Sequence, residues 1–380
     1  MIGTRGVPAA YGGFETAVEE VGKRLAERGH DVVVYTRGAE DRRSEYLGMR
    51  IVHLPAVPQK QLETLSHTAV SALHAVGRDR PDVAFVFNAA NSPFLPLLRW
   101  RGIPVALHMD GLEWRRSKWG PRGRAYYRWA EQQGVRTADA LIADAPGIAD
   151  YYLHQFDAPT ELIRYGAPLI DDVPHDPIRA WDLEPGGYHL VVARFEPENH
   201  VLEIVQGFHE SGSRRKLVVV GAAPYSAEYT QAVHAVASAD DRIVMLGRVD
   251  DQAALDALYA HAHTYIHGHS VGGTNPSLLR AMGARTAVIA YDVEFNREVL
   301  DGHAWLFGNT RELARCIESV EQNGESVRRM SDEVRERAAS AFRWDDVADQ
   351  YEDLAHRLDA GYSVHGAVRS ARRAGVEWRF

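Results

Sequence analysis

The amino-acid sequence predicts an α/β protein with two Rossmann-like domains, and three observations support this fold class. The chain has 380 residues, which favours two domains of ordinary size over one. Short apolar runs alternate with amphipathic helical patterns, which is typical of doubly wound α/β domains. A stretch with four prolines, residues 166–185, interrupts this alternation, which then starts again. We therefore expect an N-terminal domain over 1–170, a C-terminal domain over 171–343, and a final helix with a basic tail over 344–380.

The first half contains four apolar runs that predict strands of a buried parallel sheet, because they are rich in Val and Ile and apolar on both faces. These runs are 31–36, 83–87, 103–107 and 140–143. A helix precedes them and is expected to end at Gly29; its apolar stripe consists of Phe14, Val18, Val21 and Leu25. Only two residues precede Gly3, so we expect the first, central strand to be truncated.

The second half repeats the pattern. Its predicted strands are 188–195, 216–221, 242–246, 264–268 and 287–292. The last helical pattern then places on one face Trp344, Val347, Tyr351 and Leu354.

Composition narrows the class of protein. Hydrophobic content of 45% and charged content of 25% fit a globular protein with an ample core. A net charge of -9 argues against a nucleic-acid partner. The single cysteine, Cys316, excludes an internal disulfide and fits a reducing compartment. No apolar run is long enough to cross a bilayer and no signal peptide is recognisable, so we expect a cytoplasmic protein whose membrane contact is peripheral.

Two glycine-rich segments open predicted helices. Gly12 and Gly13 follow the turn that begins at Gly3, and a helix start of this kind can hold an anion. A simple tight turn remains the alternative, and the spacing is not that of a dinucleotide fingerprint. The segment 267–277 is the stronger candidate for a diphosphate, because Gly272 and Gly273 lead to an N-cap residue, Asn275. Its alternative is a well-capped helix with a flexible entrance.

Arg194 follows the first strand of the second domain, at the edge of the sheet where ligands bind in open α/β folds. Its guanidinium could neutralise the charge that grows on a leaving diphosphate. The alternative is a surface ion pair with Glu196 or Glu198.

A basic and aromatic segment runs from Trp114 to Trp129. It contains six Arg or Lys residues and no acid, in a chain that is acidic as a whole. Basic residues are attracted to anionic lipid headgroups, and Trp favours the interface. We expect this segment, with the basic tail, to contact the membrane or the diphosphate of a lipid-linked acceptor; a solvated basic helix is the alternative.

Four stretches together resemble the family-4 retaining glycosyltransferases, and they are especially similar to a rhamnosyltransferase subgroup whose N-terminus reads IGTRG-P-x-x-YGGFET. The matching stretches are Ile2–Thr16, His108–Trp119, Ala193–Asn199 and His267–Met282. This resemblance spans nearly the whole chain and implies the GT-B architecture, in which two Rossmann-like domains face a cleft. It also implies that the C-terminal domain binds the nucleotide, that the N-terminal domain binds the acceptor, and that the last helix returns to the N-terminal domain.

The resemblance further implies the reaction. Members of the subgroup transfer rhamnose from dTDP-rhamnose to a sugar on a lipid diphosphate carrier, in the synthesis of cell-surface polysaccharide. His108 would hydrogen-bond the donor sugar as a neutral imidazole; a histidine packed at a strand end is the alternative. The departing phosphate oxygen would receive the acceptor proton, so no separate nucleophile is expected.

Two positions depart from the broader family. Arg280 replaces the glutamate expected to hold the nucleotide ribose, and Asn199 stands where a lysine would contact phosphate. Arg280 could recruit phosphate, or it could weaken donor binding by removing hydrogen-bond acceptors.

The predicted site therefore has three parts. The catalytic group comprises His108, Asp110 and Glu15. The donor-binding group comprises Gly12, Gly13, Arg194, Asn199, His269, Gly272, Gly273, Thr274, Asn275 and Arg280. The group facing the acceptor and membrane comprises Arg115, Arg116, Lys118 and Trp119.

We expect a hexosyltransferase at the inner face of the cell membrane, with a nucleotide sugar as substrate. No cofactor and no metal are expected, because two helix ends and Arg194 can replace a cation. Two rivals remain: a catalytically degenerate relative that binds a sugar nucleotide, and a GT-B sugar-nucleotide epimerase. The sequence does not determine the oligomeric state.

Overall fold

The computed structural model describes residues 1–9, 12–38, 43–59, 62–109, 111–116, 119–222 and 227–366. The chain divides into two compact units. The first comprises Met1–Arg115, Trp119–Tyr165 and the segment that begins at Trp344, and the second comprises Gly166–Arg343 together with Arg116.

The first unit alternates strands and helices, as the apolar pattern predicts. Its elements up to residue 165 are α1 (Gly13–Glu27), β1 (Val33–Arg37), β2 (Glu45–Tyr46), β3 (Met49–Leu54), α2 (Glu63–His74), β4 (Ala84–Phe87), α3 (Leu95–Trp100), β5 (Val105–Met109), α4 (Pro121–Thr137), β6 (Ala140–Ala143), α5 (Pro146–Phe156) and β7 (Glu161–Leu162). A π-helical turn at Ala75–Asp79 extends α2, and 3₁₀ turns lie at Ala89–Phe94 and Glu113–Arg115.

Ile2 joins two ladders in this unit, β2-β3-β1 and β4-β5-β6-β7. It bridges Val86 of β4 in parallel, and its N–H donates to the Phe85 carbonyl at 2.9 Å. On the other side the N–H of Tyr35 in β1 donates to the Met1 carbonyl at 3.1 Å. Met1 and Ile2 therefore take the central position between β1 and β4, and the glycine-rich turn begins directly after them.

The strands of this unit confirm the buried-sheet prediction, since every residue of β4, β5 and β6 is buried. Strand β3 was not predicted from the sequence, because Arg50 and His53 break its apolar run and only part of the strand is buried. The two-residue strands β2 and β7 were also not predicted.

The second unit has the same architecture. Its elements are α6 (Asp176–Arg179), β8 (Tyr188–Val192), α7 (Val201–Glu210), β9 (Lys216–Val220), α8 (Ala227–Ala237), β10 (Ile243–Gly247), α9 (Gln252–Ala260), β11 (Thr264–His267), α10 (Pro276–Gly283), β12 (Val288–Tyr291), α11 (Glu294–Leu300), β13 (Trp305–Phe307), α12 (Thr310–Gln322) and α13 (Gly324–Ala341). A 3₁₀ turn lies at Pro197–Asn199. All ladder pairs in its six-stranded sheet are parallel, in the order β10-β9-β8-β11-β12-β13. The predicted α/β class with two Rossmann-like, parallel-sheet halves is confirmed.

The last helix of the described chain, α14 (Trp344–Asp359), packs on α1 in the first unit. Its predicted apolar face is buried, and the Tyr351 ring lies 5.1 Å from that of Phe85. At the surface Arg24 of α1 binds Asp345 at 2.7 Å. Within the described residues no helix combines the length and the apolar character that a transmembrane span requires.

Candidate functional site

The order of strands in the second unit locates its ligand-binding edge. From β8 the chain builds outward through β9 and β10, and then returns to place β11 on the other side of β8. In open α/β sheets, ligands bind at the carboxyl ends of the strands where the order reverses in this way. The loops that follow β8 and β11 are those that contain Arg194 and residues 268–275, so both predicted donor segments lie at this point.

These two loops are tied together by their backbones. The N–H of Ser270 donates to the Glu198 carbonyl at 2.9 Å, and its hydroxyl donates to the same oxygen at 3.1 Å. A Cβ atom at Gly268 would overlap the Asn199 carbonyl oxygen, so this close approach requires glycine. The loops therefore form one rigid surface rather than two independent turns.

Asn275 caps α10 as predicted. Its Oδ1 accepts the Ser277 N–H at 3.0 Å, and Pro276 occupies the first helical position. Gly272, three residues before the cap, has a φ of 128°, which L side chains rarely adopt. The first turn of α10 contains no acidic residue, so its partial positive charge is available to an anion.

Two stacked histidines stand beside this helix start. The rings of His267 and His269 lie 4.5 Å apart and 14° from parallel. Burial lowers the pKa of His267 to about 3 and holds the pKa of His269 well below its ordinary value, so both rings are neutral near pH 7. Among the described residues, Nε2 of His267 and Nδ1 of His269 have no hydrogen-bond partner. Buried polar atoms are normally satisfied, and a bound ligand could complete this set.

Arg194 is partly buried two residues after the end of β8. Asn199 is buried, and its amide donates to the Arg194 carbonyl at 2.8 Å. Asn199 therefore holds the arginine loop in place, which explains its position better than a direct phosphate contact does. Thr274 is also buried, and Gly273 is partly exposed beside it.

Arg280 turns toward α9, where it pairs with Asp256. Gln252 also donates to Asp256, at 3.0 Å. The positive charge of Arg280 is thus neutralised within its own unit.

Two residues behind the donor loops were missed by the sequence analysis. His200 stacks on Tyr291 at 3.9 Å and contacts the Gly268 carbonyl through Nδ1 at 2.8 Å. Asn296 is buried and donates to the His269 carbonyl at 3.0 Å. Both contacts join residues far apart in sequence, so no local pattern indicates them.

In the first unit the glycine-rich turn is held by acidic residues of α1. Glu15 accepts the Arg5 N–H at 2.9 Å, and Glu19 accepts the Ala9 N–H at 2.7 Å. Gly12 is the N-cap and offers no side chain, and Gly13 opens the helix. Two carboxylates near this helix start disfavour a bound anion, so the start of α10 is the better phosphate site of the two.

His108 lies inside β5, because the strand runs to Met109 and does not end at residue 107 as the apolar run predicted. Its ring is stacked between Phe87 at 5.6 Å and Tyr165 at 5.8 Å, and it is 2% exposed. Burial lowers its pKa to about 3, so the imidazole is neutral and can only exchange hydrogen bonds. Asp110 and Lys118 lie outside the described residues.

Two buried polar residues, which follow strands β4 and β6 of the sheet that contains His108, were also not predicted. Asn91 is buried and donates to the Phe87 carbonyl at 2.8 Å, and Asp144 is buried directly after β6. The available signal was a polar residue immediately after an apolar strand, as at Asp144.

The basic and aromatic segment is anchored by acids beneath it. The indole N–H of Trp119 donates to Glu113 at 3.3 Å, and Glu113 is buried. The guanidinium groups of Arg115 and Arg128 lie 5.2 Å and 4.3 Å from the ring of Trp114. Arg115 is exposed and Arg116 is partly buried.

Each half of the chain matches a known protein family. Residues 12–166 match the family model described as a glycosyl transferase 4-like domain, and residues 183–337 match that of glycosyl transferases group 1. Alpha-maltose-1-phosphate synthase of Mycolicibacterium smegmatis is 24% identical over a match of 296 residues, and the match covers 68% of this chain and 74% of that protein.

Solved structures match the fold over most of the chain. Sucrose-phosphate synthase from Thermosynechococcus elongatus has a TM-score of 0.78 at 20% identity, covering 92% of this chain and 94% of that one. The crystal structure of HepE from Anabaena in complex with UDP-glucose has a TM-score of 0.75 at 16% identity, covering 92% and 98%. With a glycosyltransferase domain in each half and the GT-B fold of these structures, the chain belongs to the glycosyltransferases.

Proposed function

We propose that this glycosyltransferase transfers rhamnose from dTDP-rhamnose to a lipid-diphosphate-linked saccharide, with retention of configuration, in the synthesis of cell-surface polysaccharide. The observation that carries the donor part is the site at the carboxyl ends of β8 and β11. There the start of α10, Arg194 and two neutral histidines with unpaired ring nitrogens lie on one rigid surface.

This surface suits a nucleotide diphosphate. The start of α10 offers partial positive charge, and Arg194 adds a full one, so a diphosphate can be held without a cation. As the bond between the anomeric carbon and the phosphate oxygen breaks, negative charge grows on the leaving group, and Arg194 stabilises it. HepE, which shares the fold, was crystallised with UDP-glucose, and this supports a nucleotide sugar as donor.

The reaction needs no separate base in this proposal. The acceptor hydroxyl forms the new bond to the anomeric carbon, and its proton passes to the departing phosphate oxygen. His108 stays neutral and contributes a hydrogen bond to the sugar rather than a charge. The choice of rhamnose rests on the likeness of Ile2–Thr16 to the rhamnosyltransferase subgroup.

The exposed surface of the first unit supports an acceptor held at a membrane. Trp129 on α4 is 46% exposed and Trp100 at the end of α3 is 77% exposed. The exposed arginines of α4 flank Trp129; these are Arg122, Arg124, Arg128 and Arg136. Aromatic residues among basic ones favour the headgroup region of an anionic leaflet, so we propose peripheral binding at the inner face of the cell membrane.

Arg280 favours a second candidate, a degenerate relative that binds a sugar nucleotide without turnover. Position 280 lacks the carboxylate expected at the ribose, and the guanidinium that replaces it is already paired with Asp256. Lost charged hydrogen bonds of this kind weaken affinity by about ten- to a hundredfold.

A transfer assay separates these functions. Purified chain is incubated with dTDP-rhamnose, other dTDP sugars or UDP sugars, with and without a lipid-diphosphate disaccharide, and the products are read by mass spectrometry and NMR. Rhamnose on the acceptor with retained configuration supports the proposal. Nucleotide binding without product supports the degenerate relative, and conversion of the nucleotide sugar without acceptor supports an epimerase.

Arg194→Ala provides the link between activity and site. We expect turnover to fall at least about tenfold, because a charge-assisted contact to the leaving group is lost. Arg194→Lys should retain part of the rate, since the charge remains. An unchanged rate in Arg194→Ala would remove this residue from the site.

A further inference from the structure

Three side chains of the first unit, none of them in a predicted donor or acceptor segment, lie close together. They are His30, which follows α1, and Glu352 and His356 on α14. Nε2 of His30 lies 2.7 Å from Oε1 of Glu352, and the two histidine rings are 5.7 Å apart. One ligand atom from each of the three lies within 4.8 Å of the other two, and among the described residues no other group of three or more His, Cys, Asp or Glu does this.

The backbone fixes this arrangement. Glu352 and His356 are four residues apart on one helix, so their side chains lie on the same face. Gly29, with a φ of 95°, ends α1, and the His30 N–H donates back to the Leu25 carbonyl at 3.1 Å. The three donors therefore come from two packed helices and a closed turn, rather than from a mobile loop.

A second contact orients the carboxylate. Arg28 donates to Oε2 of Glu352 at 2.6 Å and to Asp349 at 2.5 Å. Oε1 of Glu352 is left facing His30. Outer contacts of this type position metal ligands in known sites.

We propose that His30, Glu352 and His356 form a binding site for a divalent transition-metal ion, with Zn²⁺ as the best match. Two imidazole nitrogens and one carboxylate oxygen are the ligand set of open zinc sites, in which water takes the fourth position. Mixed nitrogen and oxygen ligands of this kind disfavour Ca²⁺ and Mg²⁺, which prefer oxygen alone. The sequence led us to expect no metal in this protein, and the present proposal departs from that expectation with residues outside the predicted donor segments.

A simple hydrogen-bonded pair is the competing explanation. It accounts for His30 and Glu352 but not for His356, which is exposed and still lies within ligand distance of both. The two explanations differ in what His356 does. A metal site needs it, and the pair does not.

The metal would fasten α14 to the end of α1. Both helices belong to the first unit, and their interface already includes the pair of Arg24 with Asp345. Bound metal stabilises only the folded form, so it should raise the unfolding temperature of this unit.

The test uses full-length, tag-free protein freed of metal by chelation. Calorimetric titration with Zn²⁺ should show one equivalent bound, and Co²⁺ should give the visible absorption of a site with nitrogen ligands. His356→Ala and His30→Ala should each weaken Zn²⁺ binding by at least about tenfold. Both positions are partly or fully exposed, and circular dichroism checks that the variants fold.

His209→Ala is the matched control, because His209 also contacts a carboxylate, Asp240, at 3.0 Å, but is in no group of three among the described residues. It should bind Zn²⁺ as the wild type does. The proposal is overturned if the wild type binds no Zn²⁺, or if His356→Ala binds it as tightly as the control. Zn²⁺ should also raise the melting temperature of the wild type and the control, and not that of His356→Ala.

Discussion

Arg280 and Asp256 form a charge pair in which each side chain is about one-fifth to one-quarter exposed. The pair joins α10 to α9 just behind the donor surface. A glutamate at position 280 would therefore face the Asp256 carboxylate, so the expected family residue cannot simply be restored here.

We predict that Arg280→Glu lowers the free energy of unfolding by about 1–2 kcal/mol, because two carboxylates would replace a partly buried ion pair. The double variant Arg280→Glu with Asp256→Asn should recover most of this loss. It should also bind dTDP more tightly than the wild type. Urea unfolding and calorimetry measure the two effects.

A different result would show that Arg280 itself contacts the donor. In that case the double variant recovers stability but binds dTDP more weakly than the wild type. Asp256→Asn alone separates the two residues, since it leaves the guanidinium in place.

Among the contacts of single residues, the sequence predicted those between neighbours in the chain. Asn275 and Pro276 form a cap whose partners lie within two residues, and the structure has this cap. Asn296 and His200 hold the donor loops through partners 27 and 68 residues away. Such contacts depend on the tertiary fold, which residue types alone do not specify.

Helix α4 has a buried face and an exposed, basic face. Tyr127, Ala130, Glu131 and Gly134 are buried, and the arginines are exposed. Composition predicted the basic surface, because charge can be counted along the chain. The buried acids Glu113 and Glu131 beneath it were not predicted, since an acidic residue ordinarily lies at the surface.

We predict that replacing Arg115, Arg116 and Lys118 together by Ala abolishes binding to anionic vesicles. Each basic residue near such a surface contributes about 1 kcal/mol, so three removals weaken binding by about two orders of magnitude. Sedimentation with vesicles containing phosphatidylglycerol measures this.

The control removes the same charge from helices α12 and α13. Arg311, Arg315 and Arg328 are exposed on α12 and α13, and their triple replacement should leave vesicle binding unchanged. Equal losses in both variants would show that net charge, rather than this segment, governs binding.

For the whole molecule, the alternation of strands and helices was readable from the sequence, and the order of strands was not. Periodicity identifies each strand separately. The places of β11 beside β8 and of Ile2 between β1 and β4 depend on packing between distant segments. These placements set the positions of the ligand-binding edges.

We predict that stability depends on pH through Glu131, which is 2% exposed. Burial raises its pKa to about 7, although the hydroxyls of Tyr152 and Tyr151 donate to it. The folded protein thus holds a proton that the unfolded chain releases near its ordinary pKa of 4.5. The contribution of this proton to the free energy of unfolding is complete below pH 4.5. It is lost as the pH rises to 7, and the total loss is about 3 kcal/mol.

Glu131→Gln removes this dependence. Between pH 4.5 and pH 8 the free energy of unfolding of the wild type should fall by about 3 kcal/mol relative to that of the variant. Urea unfolding followed by tryptophan fluorescence measures it, with the exposed Glu336→Gln as control. Parallel curves for the wild type and Glu131→Gln would contradict the prediction.

Hydrogen bonds join Ser270 to Glu198 and His200 to Gly268, and they hold the two donor loops in place in the folded protein. Because folding itself orders these loops, a donor meets a surface that is already shaped, and little entropy is lost on association. Substitution of His200 or Asn296 should then reduce catalysis by loosening the donor loops. An unbiased survey of inactivating substitutions should find a second layer of sensitive positions behind the first.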